Sequence, residues 1–216
     1  MSEETGTPKE EKKYYDNISM GKRTKQSVYF VAQHDKASML ERYLQNVDKK
    51  RAVVIVQSKL TADELNVYLN DKNVKALAIH GNHRPEQLQA AAKEFNDGEL
   101  GLLITTDMIL LSLGLQNVEL IVNFDLPLEP QSYFKRLRYV DEVGESVLFV
   151  KPDDEKAFTT IEYMMRGEIP EVEMEGFEPT PHAPLPKDKT KKPRHKTVRL
   201  KAAKKAAIKA KWVPAK

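Results

Sequence analysis

The chain reads as an α/β fold, a three-layer parallel sheet with helices on both faces. Three observations predict it. Short apolar runs such as Ala52-Val53-Val54-Ile55-Val56 and Leu102-Leu103-Ile104 lack the polar alternation of a half-exposed strand, so they suit strands buried on both faces. Between them lie segments whose apolar residues recur at spacings of three and four, the period of an amphipathic helix. Strands and helices in turn, with crossovers of this length, imply a parallel sheet.

Residues 1–25 are polar and charged, with Tyr14, Tyr15 and Ile18 as the only apolar anchors, and predict a flexible arm. Ser27-Val28-Tyr29-Phe30-Val31 is a strand, and residues 36–46 then place Met39, Leu40, Tyr43 and Leu44 on one helical face. After the strand at 52–56, Thr61 has the character of an N-cap with Glu64 as its capping-box partner, and Leu65, Tyr68 and Leu69 follow on the buried side. Residues 76–79 form a strand, His80-Gly81-Asn82-His83 a loop, and Pro85 suits the first turn of a helix carrying Leu88, Ala91, Ala92 and Phe95. Asn96-Asp97-Gly98 stops that helix. The central strand at 102–106 comes next, then a strand at 120–123, a helix around 129–138, a strand at 146–150 and a helix from about Asp153 with Phe158, Ile161, Met164 and Met165 inward. A folded body over 26–169 follows.

Beyond it, residues 168–178 are acidic and 179–193 carry five prolines, which predicts an extended linker over 170–196. Residues 197–216 form a basic tail rich in Ala and Lys, a marginal helix that would firm on a polyanion. The net charge of +3 conceals this division. Residues 187–216 hold 13 Lys and Arg against one Asp, a net +12, which leaves 22 bases against 31 acids elsewhere, a net −9. An acidic body with a basic tail points to nucleic acid, met through Lys191, Lys192, Arg194, Lys196, Arg199, Lys201, Lys204, Lys205, Lys209 and Lys211, with Trp212 beside them. The chain has no Cys, which excludes disulfides, thiolate chemistry and Cys-ligated zinc. No apolar run reaches the roughly 18 residues of a membrane span, and the acidic start is unlike a signal peptide, so no membrane partner and a cytoplasmic location are expected.

The strands end in small or acidic polar residues, Gln57-Ser58-Lys59, His80-Gly81, Thr105-Thr106-Asp107 and Asn123-Phe124-Asp125. Ligands of open α/β sheets gather at such carboxyl ends. In order along the chain, Gln26 to Val31 with Asp35-Lys36, Ala52 to Ser58, Ile79-His80-Gly81, Phe95-Asn96-Asp97-Gly98, Ile104-Thr105-Thr106-Asp107, Val118 to Pro127 and Tyr133 form a series. This series resembles the RecA-like C-terminal lobe of DEAD-box RNA helicases, over about two-thirds of the chain. The resemblance implies contact with the RNA sugar-phosphate backbone at Ser58, Lys59, Gly81, Thr106 and Asp107, through groups that bind phosphate without reading sequence.

The departures bear on activity. The family's last motif reads His-Arg-x-Gly-Arg-x-x-Arg, with the later two arginines on ATP phosphates. This chain has Lys135-Arg136-Leu137-Arg138-Tyr139-Val140-Asp141-Glu142, so Arg136 is kept while the phosphate-facing positions hold Tyr139 and Glu142. Arg138 is out of register by one. Arginine fingers contribute about 10³–10⁵ in rate to phosphoryl transfer, and a Glu in that place repels phosphate. The family's Arg, Gly and Asp after Thr-Asp are Leu111, Ser112 and Gly114. No Gly-Lys-Ser/Thr phosphate loop and no Asp-Glu-Ala-Asp run occur, so the partner ATP-binding lobe is expected to be missing.

Other residues carry plainer readings. His80 and His83 are a loop pair without a third ligand, so no metal is expected. Tyr133 and Phe134 suit core packing, and Asp153-Asp154-Glu155 an acidic first turn. The sequence thus predicts a non-enzymatic RNA-binding pseudoenzyme, associated with RNA or ribonucleoprotein mainly through its tail. No cofactor is implied for it alone. The alternatives are one lobe of a split helicase, using ATP-magnesium with a separate ATP-binding lobe, or an adaptor for a partner such as a ribosomal protein.

Overall fold

The computed structural model describes residues 16–47 and 50–180, with 141–143 by backbone alone. Helix α1 (Asn17–Arg23) leads into β1 (Lys25–Phe30). A short 3-10 turn precedes α2 (Lys36–Asn46), followed by β2 (Ala52–Val56), α3 (Lys59–Asp71), β3 (Leu77–Ile79) and α4 (Pro85–Asn96). The chain continues through β4 (Leu102–Thr106), α5 (Asp107–Leu110), β5 (Val118–Asn123), α6 (Pro130–Leu137), β6 (Val140–Val150) and α7 (Glu155–Met165). The six strands form one sheet in the order β1-β6-β5-β2-β4-β3, and every pairing is parallel.

The strands at the centre explain the unbroken apolar runs. Val53, Ile55, Leu103 and Ile121 meet Phe95, Tyr133, Leu137 and Ile161 on one face. Val54, Val56, Ile104 and Val122 meet Leu40, Leu65 and Leu69 on the other. Helices α2 and α3 therefore cover one face, and α1, α4, α6 and α7 the other, as the three-layer reading requires. Val53, Ile55, Leu103, Ile104 and Ile121 are all fully buried.

Several boundaries differ from expectation. The arm ends earlier than residue 25, because α1 is folded against the body: Asp16 caps it by accepting the Ser19 N–H at 2.6 Å, and Met20 is buried. Gly21 permits this contact, since a Cβ there would lie 2.2 Å from Cγ of Met165 on α7. A single Met and a Gly within a polar stretch left no helical period to read. The N-cap of α3 is Ser58 rather than Thr61. The Ser58 Oγ accepts the Thr61 N–H at 3.0 Å, so Thr61 lies inside the first turn. Strand β6 begins at Val140 rather than Ser146, its first half disguised by charged residues. Helix α7 starts at Glu155, because Pro152–Asp154 forms a 3-10 turn.

The linker also starts later than residue 170. Val28 N–H donates to Pro170 C=O, and Val172 N–H to Val28 C=O, both at 2.9 Å, so this segment pairs with the outer edge of β1. Met174 and Phe177 then pack on the α2 side of the sheet, and Arg42 donates to the Glu175 C=O at 3.4 Å. The acids that suggested a linker lie between singly spaced apolar residues, Ile169, Val172, Met174 and Phe177. The body runs to Pro179, and Thr180–Lys216 is a separate unit of which only Thr180 is described. The basic tail, Lys191 to Trp212, thus lies outside the described residues.

Candidate nucleic-acid interface

A parallel sheet delivers its strand tips to one side. The tips of β2 and β4 and the turn after β3 bring Gln57, Lys59, Gly81, Thr106 and Asp107 to a cleft of about 500 Å3, closed on its far side by Leu128, Glu129 and Ser132. Four of the five body residues singled out from sequence therefore converge. Ser58 stands beside them but faces its own helix, capping α3 and sharing a 2.8 Å hydrogen bond with the Thr61 hydroxyl.

Much of the polarity at the tips is committed within the fold. Lys59 Nζ donates to Asn82 Oδ1 at 2.7 Å across the cleft wall. Asp107, at the start of α5, holds the Arg136 guanidinium through Nε at 2.6 Å and Nη2 at 2.7 Å, a bidentate charge-assisted pair. Gly81 and Thr106 keep open faces. A Cβ at Gly81 would meet Lys59 at 3.5 Å, an ordinary contact, so internal packing does not demand glycine there.

Arg136 is the largest fully buried side chain of the body. Besides Asp107 it donates from Nη1 to Asn123 Oδ1 at 2.9 Å and to the Asp125 C=O at 2.8 Å. Asn123 in turn donates to Ser146 Oγ at 3.1 Å, and Tyr133 hydroxyl bonds Ser146 and Gln26. Tyr133 is thus a core residue with its hydroxyl satisfied, and burial raises the pKa of that hydroxyl, as expected for packing. This polar row ties β1, β6 and β5 to the cleft. Lys135 and Arg138 point to solvent, and Tyr139 packs half-buried on the core. The side chain of Glu142 lies outside what the structure describes.

Sequence reasoning missed the supports beneath the tips. Lys36 is fully buried and donates to Asp125 Oδ1 at 3.0 Å and to the Phe124 C=O at 2.6 Å. Burial lowers its pKa, and the charge of Asp125 opposes that shift. The second oxygen of Asp125 accepts the Gln57 N–H at 3.1 Å, fixing the start of the cleft. His80 is buried with Nε2 2.9 Å from Asp63 Oδ1, and its Nδ1 receives the Asn82 N–H at 3.4 Å. His83 Nδ1 receives the His80 N–H at 3.2 Å, so the two histidines shape the loop that presents Gly81. No cluster of three or more His, Asp or Glu suited to a metal occurs among the described residues. No helix among them is long and apolar enough to cross a membrane. The only signals for these supports were polar residues at strand tips.

Comparison with known proteins agrees with the architecture. Residues 35–138 match the helicase conserved C-terminal domain. This stretch of the body is a helicase C-terminal domain. It is related to DEAD-box RNA helicases: the chain is 27% identical over 147 residues to the DEAD-box ATP-dependent RNA helicase RhpA of Helicobacter pylori, covering 67% of this chain and 30% of that protein. Among solved structures, a DEAD box protein from Methanococcus jannaschii superposes with a TM-score of 0.64 at 25% identity, covering 71% of this chain and 43% of that one. The C-terminal domain of the DEAD-box protein Dbp5 superposes with a TM-score of 0.64 at 21% identity, covering 69% and 91%, a likeness of fold. The chain spans about a third of the length of the curated relatives it matches. Its fold is the RecA-like lobe expected from the strand and tip series.

Proposed function

We propose that this helicase C-terminal domain is the folded platform of an RNA-associated protein that does not turn over ATP itself and holds RNA or ribonucleoprotein mainly through its basic tail. The observation that carries the first half is Arg136. The one arginine kept from the family's last motif is buried against Asp107 and Asn123, and the two positions that face phosphate in the family hold Tyr139 and Glu142. The division of charge, −9 against +12, supports the second half. Gly81 and Thr106 add weak backbone contact within the cleft.

Fluorescence anisotropy with labelled single-stranded RNA tests this reading. Each phosphate neutralised on a single strand lowers log K by about 0.7 per log unit of salt, so roughly six engaged cations give a slope near −4. Removing residues 187–216 should weaken binding severely and flatten that slope. Equal affinity after truncation would move the RNA site to the cleft.

A second reading takes this chain as one lobe of an ATPase completed by a separate ATP-binding lobe, with ATP-magnesium between them. The match of residues 35–138 to the helicase conserved C-terminal domain favours it. Tyr139 and Glu142 oppose it, because neither can offer phosphate a cation.

A further inference from the structure

The outer edge of the sheet is closed over only part of its length. Val31 N–H donates to the Val150 C=O at 2.9 Å, so the backbone groups of Val31, and of Tyr29 two residues before it, face β6. Val28 faces outward, where it meets Pro170 and Val172. Backbone groups along a strand alternate sides, so the N–H and C=O of Phe30 share the outward side with Val28. The covering segment does not reach them, because after Val172 it turns to pack Met174 and Phe177 on the α2 side. Neither group bonds another described residue. An unpaired edge of this kind is a template for an extended segment.

Beside it lies a cavity of about 330 Å3, lined by Phe30, Val31, Ala32, Pro152 and Glu155. It shares no residue with the strand-tip cleft. Four of its walls are apolar, and the fifth is the carboxylate that opens α7. Glu171, which bridges Val28 along the same edge, is a second acid, and no base lines the cavity. Phe30 is 45% exposed, its ring set edge-to-face on Phe158 with centroids 5.7 Å apart. An apolar slot with an aromatic face and a carboxylate at its rim suits an arginine. The aliphatic stem covers Ala32 and Pro152, and the guanidinium lies over Phe30 and pairs with Glu155. An acidic side chain is repelled there, and an aliphatic one gains nothing from Glu155.

We propose that the edge of β1 at Phe30 is a docking site for an extended segment of a partner protein, which adds a short strand through the Phe30 backbone and seats one arginine in the cavity. The site does not depend on the RNA reading, since its carboxylates repel phosphate.

The test uses the full chain and a short labelled peptide of alternating Val and Thr with one central Arg. Two control peptides carry Glu in place of the Arg, or methylated backbone nitrogens beside it. The Arg peptide should bind roughly tenfold more tightly than either control. Glu155→Lys should reverse the preference toward the Glu peptide. Phe30→Leu, which keeps the apolar wall and removes the ring, should weaken the Arg peptide several-fold. Both variants should keep the fold by circular dichroism. No binding of the Arg peptide at millimolar concentration overturns the proposal, as does equal binding of the Arg and Glu peptides. A preference for Arg that survives Glu155→Lys places the peptide elsewhere and overturns it too. So does self-association by sedimentation that Glu155→Lys abolishes, which makes the edge a contact between copies.

Discussion

The Arg136 guanidinium and the Asp107 carboxylate form a two-point ion pair, at 2.6 and 2.7 Å, that locks α6 to the tip of β4. The arginine is 1% exposed and the aspartate 41%. Removing Arg136 leaves Asn123 Oδ1 and the Asp125 C=O without a donor, and leaves Asp107 to water. Arg136→Met should therefore cost roughly 3–5 kcal/mol, and Asp107→Asn about 1–3 kcal/mol, because an amide still accepts one bond. Urea unfolding of both single variants and the double one measures this. The double variant should cost less than the sum, since the pair acts as a unit. Strict additivity would mean that the two side chains do not meet.

ATP should not bind this chain at physiological concentration. The family's phosphate-facing arginines are replaced by Tyr139 and Glu142, and the family's Asp after Thr-Asp by Gly114, which sits at φ +60° in a left-handed turn. Asn96 bridges that turn, donating to the Gly114 C=O at 3.3 Å and accepting the Gln116 N–H at 2.8 Å. The position therefore serves the backbone. Calorimetric titration with ATP-magnesium should show no heat of binding, and a submillimolar dissociation constant would falsify this reading.

Glu145 should make stability depend on acid. It joins β1 to β6, bonding Lys25 at 2.8 Å and Lys50 at 2.9 Å. Burial works to raise its pKa, but the bonds from the two lysines outweigh it and hold the carboxyl below its ordinary value. The folded state thus binds the proton more weakly than the unfolded chain does. Its stabilisation is present above the ordinary carboxyl range and lost as pH falls through the lowered value. Glu145→Gln should cost about 0.5–1 kcal/mol at neutral pH, with the difference vanishing in acid. A constant difference across pH would exclude the ion pairs as its source.

The fold was legible where one residue type dominates a stretch. Residues 52–56 and 102–104 are apolar because both faces of β2 and β4 are covered, and that needs no knowledge of partners. Helix α5 escaped because four residues cannot show a period of 3.6. The site was half legible for a related reason. Small polar residues marked the tips, but what those tips hold depends on partners far away in sequence. Asp63 and His80 are 17 positions apart, Asp107 and Arg136 29, and Lys36 and Asp125 89. A sequence shows Asp107 as an available carboxylate, and only the geometry shows it committed to an arginine.

Ile104→Ala should destabilise the body severely. Ile104 is fully buried in β4, in register with Val54 on one side and Ala78 on the other. Deleting its branched side chain leaves a cavity between sheet and helices, at roughly 2–5 kcal/mol, a large part of a small domain's margin. Leu128→Ala, at an 88% exposed position, is the control and should leave the melting temperature unchanged. Equal melting of the two variants would put β4 in the wrong place.

The segment after α7 guards a sheet edge. Strand β1 pairs with β6 on one side only, so its other side presents unpaired backbone groups, the usual template for adding a strand from another molecule. Pro170 and Val172 close part of that edge through the N–H and C=O of Val28, and Met174 and Phe177 extend the cover over α2. Substituting Val172 by Pro removes the N–H that donates to Val28, without touching the core or the tail. The variant should melt a few degrees lower, a loss of roughly 1 kcal/mol for the bond. It should also aggregate more with rising concentration, because the carbonyl and side chains of β1 are then open to a second chain. Light scattering against concentration separates the two effects. A lower melting temperature without aggregation would mean that the short strand length and the exposed charge of Lys25 already protect the edge, and that residues 170–172 contribute packing alone.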